Sequence, residues 1–491
     1  MSQKSISVII EIIHGSSKDD RLITLPEKIC NSLKEPFAKL KVGMAEETIR
    51  YESNDRISYD CFMDNTTEEY IECEFNTTEN TSEEYIKCES NITDNTVEIS
   101  SNIAKALGLS QGMITNLVIK DNKVCLGPVM GVFVNKFAIK KLIKQVPSFR
   151  YTELWRANRD SNLIPYFFSI DDVDFINQRI NGTYYNEEKQ VWSQKAFPLP
   201  EILYDRGGGF LKKQRAMSKY IRRQLNLNKN LKKLNATHYF DKWEVYKHLI
   251  QHEDMKPYIP FTALYREPYN LIEIFDKSST IYIKGCCGSN GREVIRVIKS
   301  GDKSYHLSYF HGTLVEYKLK SLEELVDKIE TIFGKKKIIL QSAIDVIELD
   351  GRNIDMRATV QRDGSGELGV YSHPVRLGQK RSPITSTKSG SRVYMFDDFF
   401  IKHYNYTEKQ VTDLKTKVNK MLMKSYLYIE EAYGSYGELG IDFAIDKKGN
   451  IWFIECNAKP GKDSMYLSYD KDTIKKAFQN PLEYAKYICG F

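Results

Sequence analysis

The sequence contains no hydrophobic run long enough to cross a membrane as a helix. Such a helix needs about 20 consecutive apolar residues, and no run in this 491-residue chain reaches that length. The opening residues, MSQKSISVIIEIIHG, have neither the extended apolar region nor the small-residue cleavage site of a secretory signal peptide. We therefore expect a cytoplasmic protein.

Paired cysteines are also lacking. The nine cysteines are scattered, none forms a Cys-x-x-Cys pair, and Cys286 and Cys287 are adjacent. This spacing excludes a disulfide framework and a cysteine-based zinc site. A reducing compartment fits the pattern.

Acidic residues are concentrated in one segment and leave the rest of the chain basic. Residues 46–100 carry 16 acidic and 3 basic side chains, a net charge of −13, whereas the whole chain carries +6. The other residues therefore carry +19. A basic body is typical of proteins that attract nucleotides, acidic peptides or nucleic acid, and equally of a solvated lysine-rich surface.

Two stretches near the N-terminus resemble each other. LITLPEKICNSL (22–33) and TVEISSNIAKAL (96–107) each read as a strand followed by a short helix, and MITNLVIKDNKVCLG (113–127) reads as a hairpin turning at Asp121 and Asn122. We predict a β-rich domain over residues 1–127, built from a duplicated β-α-β unit. Its acidic insert, 52–95, contains a tandem repeat and is predicted to be a loose hairpin, disordered, or a tail that binds a basic partner.

Residues 128–235 alternate helical and strand patterns and predict a small α/β domain. LIPYFFSI (163–170) and EILYDR (201–206) end in polar residues, as parallel strands do at a ligand-binding edge. Residues 211–233 carry nine basic side chains and no acidic one. We interpret this stretch as a basic helix beside a pocket for anionic ligands, with a solvated face as the alternative. Nucleic-acid binding has less support, because only Tyr220 is available there for base stacking.

A glycine-rich loop separates two strand patterns in STIYIKGCCGSNGREVIRV (279–297). Gly285, Gly288 and Gly291 allow a sharp turn and bring backbone N–H groups close to a ligand. Lys284, at the end of the first strand, supplies a positive charge suited to phosphate. Taken alone, such a loop is more often an ordinary hairpin.

Asp355 and Arg357 share one face of the strand NIDMRATVQ, because residues two apart in a strand point the same way. The apolar residues between and beside them face the other way. Arg376 ends the next strand pattern. The two charged side chains either form part of a polar site or simply pair with each other.

The segment YGELGIDFAIDKKGNIWFIECNAKPG (436–461) predicts an antiparallel hairpin with its turn at Lys447 to Asn450. Asp442 on its first strand can converge with Glu455 and Asn457 on its second. Carboxylate and amide oxygens suit Mg²⁺ held jointly with substrate phosphates. A bound cation would offset the cost of burying these carboxylates; a polar strand end facing water is the alternative.

These pieces together resemble a known superfamily. From about residue 236 onward the chain resembles an ATP-grasp domain of the branch that includes glutathione synthetase and ribosomal-protein glutamate ligase, with its Asp-x-Arg strand and its ExNxxPG ending. More narrowly, FPLPEILYDR, THYFDKWEVYKHL, NIDMRATVQRDGSGELGVYSHPVRLG and ELGIDFAIDKKGNIWFIECNAKPGKDSM resemble the YheC/YheD-type endospore coat-associated proteins. The resemblance covers nearly the whole chain apart from the acidic insert.

The resemblance implies a fold of the α+β class. Two α+β subdomains gripping ATP form the ATP-grasp domain over residues 236–491. This domain follows a small α/β pre-ATP-grasp domain and an N-terminal β-rich, barrel-like domain.

The same resemblance implies a residue for each part of an ATP and Mg²⁺ site. The nucleotide-binding residues are Lys242, Lys284, Gly285, Gly288, Ser289 and Gly291, with Gln341, Ser342 and Ile344 in the adenine hinge. The metal ligands are Asp442, Glu455 and Asn457, and the catalytic residues are Arg357, Arg376 and Lys284. Three departures stand out: Ser342 replaces a common acidic hinge residue, TSTKSGSR (385–392) keeps only Gly390 of the usual glycine pair, and the adjacent Cys286 and Cys287 are unusual in the phosphate loop.

The implied activity is that of an ATP-dependent carboxylate–amine ligase, which forms an amide or peptide bond through an acylphosphate. The expected partners are a carboxylate and an amine, with an acidic peptide or protein as the favoured substrate, in a spore-forming bacterium. The first alternative is a spore-coat or scaffold protein that keeps the ATP–Mg²⁺ fold with little turnover. The second is a nucleic-acid binder using residues 211–233.

Overall fold

The computed structural model describes residues 5–13, 22–33, 37–53, 95–288, 293–301, 303–387 and 390–491. The chain divides into two compact units, Met1–Gly127 and Pro128–Phe491. The second unit contains both the predicted α/β domain and the predicted ATP-grasp region, so the boundary after residue 235 stays a prediction. Most of the acidic insert lies outside the described residues. No helix within the described ranges is long and apolar enough to span a membrane.

The first unit is a closed β-barrel, which confirms the barrel-like fold expected there. Its elements are β1 (Ile6–Ile13), β2 (Leu22–Leu25), α1 (Glu27–Cys30), β3 (Phe37–Val42), β4 (Ala45–Ser53), β5 (Thr96–Ser100), α2 (Ser101–Leu107), β6 (Met113–Lys120) and β7 (Lys123–Gly127). The strands follow one another in the order β1-β5-β2-β4-β3-β7-β6, and β6 pairs with β1 to close the barrel. Val8, Ile10 and Leu40 are among its fully buried residues.

The two similar stretches of the first unit form the same local structure. Each is a strand followed directly by a helix, β2 with α1 and β5 with α2. The Ser100 hydroxyl caps the start of α2 and Gly108 ends it with a φ of 71°, whereas α1 begins after Pro26 without a side-chain cap and has four residues.

The predicted hairpin between β6 and β7 is confirmed. Its turn residues Asp121 and Asn122 have φ values of 48° and 57°, which a two-residue type I′ turn requires.

The second unit begins with a mixed sheet. Its elements are β8 (Val129–Phe133), α3 (Lys136–Ile143), α4 (Phe149–Ser161), β9 (Ile164–Phe168), β10 (Val173–Asp174), β11 (Arg179–Asn186), β12 (Val191–Pro198), β13 (Ile202–Asp205), α5 (Arg215–Leu227) and β14 (Lys232–Lys233). The order is β10-β11-β9-β8-β13-β14, with β12 beside β11. β8, β9 and β13 are parallel, so their carboxyl ends meet at one edge, where Arg206 follows β13.

An antiparallel sheet follows, with two helices on one face. Its elements are α6 (Lys242–Leu249), β15 (Thr262–Leu264), α7 (Tyr269–Phe275), β16 (Thr280–Gly285), β17 (Val294–Ser300), β18 (Ser304–His311), β19 (Thr313–Leu319), α8 (Leu322–Phe333) and β20 (Ile338–Ser342). The order is β15-β20-β16-β17-β18-β19. Residues of α7 and α8 share a core with Ile281, Ile283 and Leu340. Because side chains alternate along a strand, Lys284 and Gln341 point to the opposite face.

The third sheet of this unit carries the predicted hairpin. Its elements are β21 (Glu348–Leu349), β22 (Arg352–Arg362), β23 (Leu368–Ser372), β24 (Val375–Leu377), β25 (Arg392–Tyr394), α9 (Phe396–Tyr404), α10 (Glu408–Tyr433), β26 (Glu438–Ile445), β27 (Ile451–Asn457), α11 (Asp463–Ser468) and α12 (Lys471–Cys489). The order is β25-β24-β22-β26-β27. As predicted, Ile354, Met356 and Ala358 face away from the charged residues of β22 and are fully buried, in a core shared with α9 and α10.

Candidate functional site

A β-bulge turns the polar end of β27 away from the core. Phe453 pairs with Phe443 and Glu455 pairs with Asp442, so Ile454 is an extra residue between them. One extra residue reverses the alternation of all that follow. Ile451 and Phe453 lie in the core before the bulge and Cys456 lies in it afterwards, so Glu455 and Asn457 point to the other side.

The pairing register of β22, β26 and β27 places charged residues opposite one another across these three adjacent strands. Arg357 of β22 lies opposite Asp442 of β26, which lies opposite Glu455 of β27. Arg357 Nε donates to Asp442 Oδ1 at 2.5 Å, and its Nη2 donates to Oδ2 at 2.6 Å. This two-point contact fixes the plane of the Asp442 carboxylate.

Asp355 and Arg357 do not pair with each other, so that alternative is wrong. Arg376 of β24 lies directly opposite Asp355 and donates to both of its carboxylate oxygens at 2.7 Å. Arg376 Nη2 also lies 3.4 Å from Asp442 Oδ2. Opposite residues in paired strands are closer than residues two apart in one strand, which explains the choice of partners.

The antiparallel sheet contributes Lys284 and Gln341 to the same region. Lys284 is 8% exposed, and its Nζ donates to Gln341 Oε1 at 2.6 Å. Gln341 Nε2 in turn donates to Thr262 Oγ1 at 2.9 Å. The glutamine is therefore held at both ends of its amide, and it fixes the position of the lysine.

Lys242 joins the glycine loop to the hairpin. It is the first residue of α6, after the N-cap Asp241. Its Nζ donates to the Gly288 carbonyl at 2.9 Å and lies 3.1 Å from Glu455 Oε2. The Cβ of a larger residue at Gly285 would meet the Glu293 carboxylate, which would have to move to make room. The other two predicted loop residues, Ser289 and Gly291, lie outside the described residues.

A cavity that is partly open to solvent lies between the antiparallel sheet and β27. It is lined by Phe240, Lys242, Val245, Tyr246, Leu249, Ile259, Pro260, Thr262, Lys284, Ile339, Gln341, Phe453, Ile454, Glu455 and Cys456. Most of this lining is apolar, and the charged groups are few. Such a slot suits a flat, largely apolar ring system that continues into a charged group.

The predicted hinge is only partly at this cavity. Gln341 lines it, whereas Ser342 and Ile344 are not among the lining residues. The Ser342 N–H donates to the Phe261 carbonyl at 2.9 Å, which continues the sheet toward β15. An adenine contact by Ser342 or Ile344 therefore stays a prediction.

Four cationic side chains and three carboxylates meet at this site. The cations are Lys242, Lys284, Arg357 and Arg376, and the carboxylates are Asp355, Asp442 and Glu455. The excess of positive charge favours an anionic ligand.

Ion pairing sets the protonation state of the site. Burial would raise the pKa of Asp442, but Arg357 outweighs it and the pKa falls to about 2. Burial would also raise the pKa of Glu455, which Lys242 instead holds below its ordinary value. Burial lowers the pKa of Lys284 to about 8, with Glu455 opposing the shift. At neutral pH both carboxylates are therefore ionised, and Lys284 is largely charged.

The three predicted metal ligands offer only hard donors on one side of the hairpin. Asn457 Nδ2 lies 3.4 Å from Glu455 Oε1, and Glu455 is the cross-strand partner of Asp442. Carboxylate and amide oxygens beside a cationic phosphate-type site fit Mg²⁺. The residues present therefore fit the cation that the resemblance implies.

A second buried charge cluster joins the first sheet of this unit to the hairpin, and sequence reasoning missed it. The Glu438 side chain is fully buried and accepts hydrogen bonds from Tyr204, from Lys462 and, at 3.1 Å, from Arg206. Lys459 donates to the Gly207 carbonyl beside it. The polar end of the EILYDR strand was the available signal, but its partner lies more than 200 residues away in the sequence.

The basic stretch 211–233 was interpreted either as a helix beside a pocket for anionic ligands or as a solvated face, and the structure shows features of both. Arg222 donates to both carboxylate oxygens of Asp205, at 2.6 and 3.0 Å. Seven of the nine basic residues are exposed. Most of the stretch is therefore a solvated face, and Arg222 anchors it at the sheet edge.

The comparisons with known proteins agree with this fold. Residues 230–488 match a family described as "YheC/D like ATP-grasp", which places the fold in the ATP-grasp class. This match covers more than half of the chain, and the chain belongs to the YheC/D-like ATP-grasp family. The predicted fold class and the predicted family are both confirmed.

Individual relatives are distant. The chain is 22% identical to the endospore coat-associated protein YheD of Bacillus subtilis, over 80% of this chain and 85% of YheD. It is 25% identical to the endospore coat-associated protein YheC of the same organism, over 65% of this chain and 87% of YheC. Among solved structures it is similar to D-alanyl-alanine synthetase A from Vibrio cholerae, with 12% identity, a TM-score of 0.43, and 74% of this chain and 98% of that chain covered.

Proposed function

We propose that this protein is an ADP-forming, ATP-dependent carboxylate–amine ligase. One observation carries the proposal: a largely apolar slot ends at two lysines and faces a row of oxygen donors and arginines on adjacent strands. The slot would take the adenine and ribose of ATP. The charged end would take the phosphates and the reacting carboxylate.

The predicted site residues that the structure brings together each have a role in this proposal. Lys242 and Lys284 hold the phosphates, and Gln341 orients Lys284. Gly288 lies beside the phosphate position, because its carbonyl accepts a hydrogen bond from Lys242 Nζ. Asp442, Glu455 and Asn457 would hold Mg²⁺, which would supply charge neutralisation at the phosphates.

The arginines act on the charge that develops in the reaction. A carboxylate oxygen of the substrate attacks the γ-phosphorus, the bond to the ADP oxygen breaks, and an acylphosphate forms. The amine then attacks the acyl carbon, phosphate leaves, and an amide remains after loss of the amine proton. Arg357 and Arg376, held in place by carboxylates at 2.5–2.7 Å, donate to the oxygens that carry this charge.

The proposed acceptor is an acidic peptide or protein, handled in the cytoplasm of a spore-forming bacterium. The basic charge of the chain outside residues 46–100 supports this choice. Intact-mass analysis of proteins co-expressed with this chain tests it. We expect one of them to gain the mass of an amino-acid residue, and unchanged masses in every candidate would count against a protein acceptor.

The activity test is release of ADP. We expect ADP only when ATP, Mg²⁺, a carboxylate and an amine are all present, and near-complete loss in Lys284→Ala and Asp442→Ala. Lys318→Ala is the matched control, because Lys318 is an exposed lysine on β19 of the same sheet as Lys284. Undiminished ADP release by either site variant would show that the site is assigned wrongly.

A second candidate function is a spore-coat or scaffold protein with little turnover. The names of both Bacillus relatives, endospore coat-associated proteins, favour it. Calorimetric binding of ATP and Mg²⁺ without ADP release, under every substrate pair tested, would select the scaffold over the ligase.

A further inference from the structure

Two histidines and a glutamate meet on the side of α6, away from its first residue, Lys242. His248 lies in the last turn of α6, and His252 follows four residues later, just beyond the helix end. Glu431 lies near the end of α10. One ligand atom from each of the three lies within 4.8 Å of the other two. We call these residues the histidine cluster.

One ring nitrogen of each histidine, Nε2, lacks a hydrogen-bond partner in the described part of the chain. His248 Nε2 and His252 Nε2 are both buried, and neither has a hydrogen-bond partner among the described residues. His252 Nε2 lies 4.0 Å from Glu431 Oε2, which is longer than a hydrogen bond. Buried nitrogens without partners are costly, and a cation that accepts their lone pairs would remove that cost.

Contacts from α10 hold the cluster in place. The His252 ring stacks on Tyr428, with ring centroids 3.6 Å apart. The Tyr428 hydroxyl donates to Asp254 Oδ1 at 2.9 Å, and Lys424 forms an ion pair with the same carboxylate. Tyr428 and Glu431 lie three residues apart, on one face of α10. The segment after α6 is therefore fixed against α10 by contacts that leave the Nε2 atoms of both histidines available.

We propose that His248, His252 and Glu431 form a Zn²⁺ site, separate from the nucleotide site. Two histidines four apart at a helix end plus a carboxylate are a ligand set that zinc prefers, with water as the fourth ligand. Ligands of a tetrahedral zinc lie about 3.4 Å apart, given zinc–ligand bonds of about 2.1 Å. The Glu431 side chain is 60% exposed, so it has room to close the remaining distance.

Such a site would cross-link two elements that otherwise meet through side-chain packing. α6 lines the cavity with Val245, Tyr246 and Leu249 and begins with Lys242. Zinc would tie the end of this helix to α10. The consequence is a higher thermal unfolding midpoint when Zn²⁺ is present. Mg²⁺ would not replace it, because Mg²⁺ prefers oxygen ligands.

The test is metal titration of the metal-stripped, full-length protein with Mg²⁺ in excess and no nucleotide. Calorimetry with Zn²⁺ should give one site per chain, and the affinity should fall by about tenfold or more in His248→Gln and in His252→Gln. His306→Gln is the matched control. His306 also faces a carboxylate, with its Nε2 3.6 Å from Glu316 Oε1, but it lies on β18, outside the histidine cluster. Cys287→Ser controls for zinc capture by an exposed thiol. Both controls should bind like the wild type.

A second measurement needs no variant. Co²⁺ bound to the wild-type protein should show the visible absorption of a tetrahedral site with nitrogen and oxygen ligands. Absence of Zn²⁺ binding, a sulfur-to-cobalt charge-transfer band, or unchanged affinity in the His248→Gln/His252→Gln double variant would each overturn the proposal. Unchanged affinity in the double variant would mean that His252 only stacks on Tyr428 and does not bind zinc.

Discussion

At the scale of single residues, Lys284 is the site lysine whose positive charge is weakened by burial. Burial lowers its pKa to about 8, and the carboxylate of Glu455 only partly opposes this. A bound phosphate would stabilise the charged form, so nucleotide binding above this pH must take up a proton. Nucleotide affinity should therefore fall as the pH rises through about 8, by at most about tenfold per pH unit.

Calorimetric titration of ADP with Mg²⁺ between pH 7 and 9.5 measures this dependence. Lys284→Arg is the control, because a guanidinium stays charged over that range and the affinity should become nearly independent of pH. An equally steep loss in Lys284→Arg would show that another group is responsible.

Arg357 is expected to act through its two-point geometry rather than its charge alone. Arg357→Lys keeps the positive charge but loses the paired contact with Asp442, so the rate of ADP release should fall by about 10²–10³-fold. Arg362→Lys is the matched control for Arg357→Lys. Arg362 lies on the same strand and contacts both oxygens of Glu430, outside the site, so its change should leave the rate within about threefold of wild type. Equal losses in both variants would contradict the role of Arg357.

The residue types in the sequence predicted most members of this site. They did not predict which arginine pairs with which carboxylate. Lys284, Asp442, Glu455 and Arg357 are brought together as expected. Of the two alternatives for Asp355, pairing with Arg357 was wrong, because its partner, Arg376, depends on the register between β22 and β24. Register is set by packing across strands that are distant in the sequence.

At the scale of elements, the bulge at Ile454 decides which way the polar end of β27 points. Deleting Ile454 would place Glu455 directly after the core residue Phe453, so regular alternation would still point Glu455 to the site side without a bulge. We therefore expect the deletion variant to keep ADP binding, with at most a small drop in the thermal midpoint. Ile454→Val keeps the extra residue and should retain both properties. A deletion variant that loses ADP binding while Ile454→Val keeps it would exclude this account of the bulge.

The sequence predicted the hairpins but not the bulge. Alternation in IWFIECN gives Ile451, Phe453, Glu455 and Asn457 the same phase, so a regular strand would bury the carboxylate beside Phe453. The turn between β6 and β7 was predictable because Asp-Asn is a local signal for left-handed backbone. A bulge has no comparable local signal here; it is needed because Cys456 fills the core position instead.

At the scale of the whole molecule, Glu438 joins two sheets of the second unit through buried charge. Burial would raise its pKa, but Lys462 and Arg206 outweigh burial and hold the pKa below the ordinary value of 4.5. Glu438→Gln would leave both cations buried without a counter-charge, at a cost of about 3–5 kcal/mol of stability. Glu316→Gln, at a partly exposed pair with His306, should cost about 1 kcal/mol or less.

Thermal unfolding across a range of pH separates these effects. A carboxylate whose folded pKa is depressed stabilises the fold above its unfolded pKa, and this stabilisation is lost as the pH falls through the folded value. Wild type should therefore lose stability below about pH 4.5 more steeply than Glu438→Gln does. Parallel curves for the two proteins would show that Glu438 contributes no pH-dependent stability.

Calorimetric titration of ADP, with and without Mg²⁺, tests the central claim most directly. We predict one ADP per wild-type chain, bound more tightly when Mg²⁺ is present, and loss of this Mg²⁺ effect in Glu455→Gln with weaker binding still detectable. Failure of the wild-type protein to bind ADP, or a full Mg²⁺ effect in Glu455→Gln, would contradict a nucleotide site built on the β26–β27 hairpin.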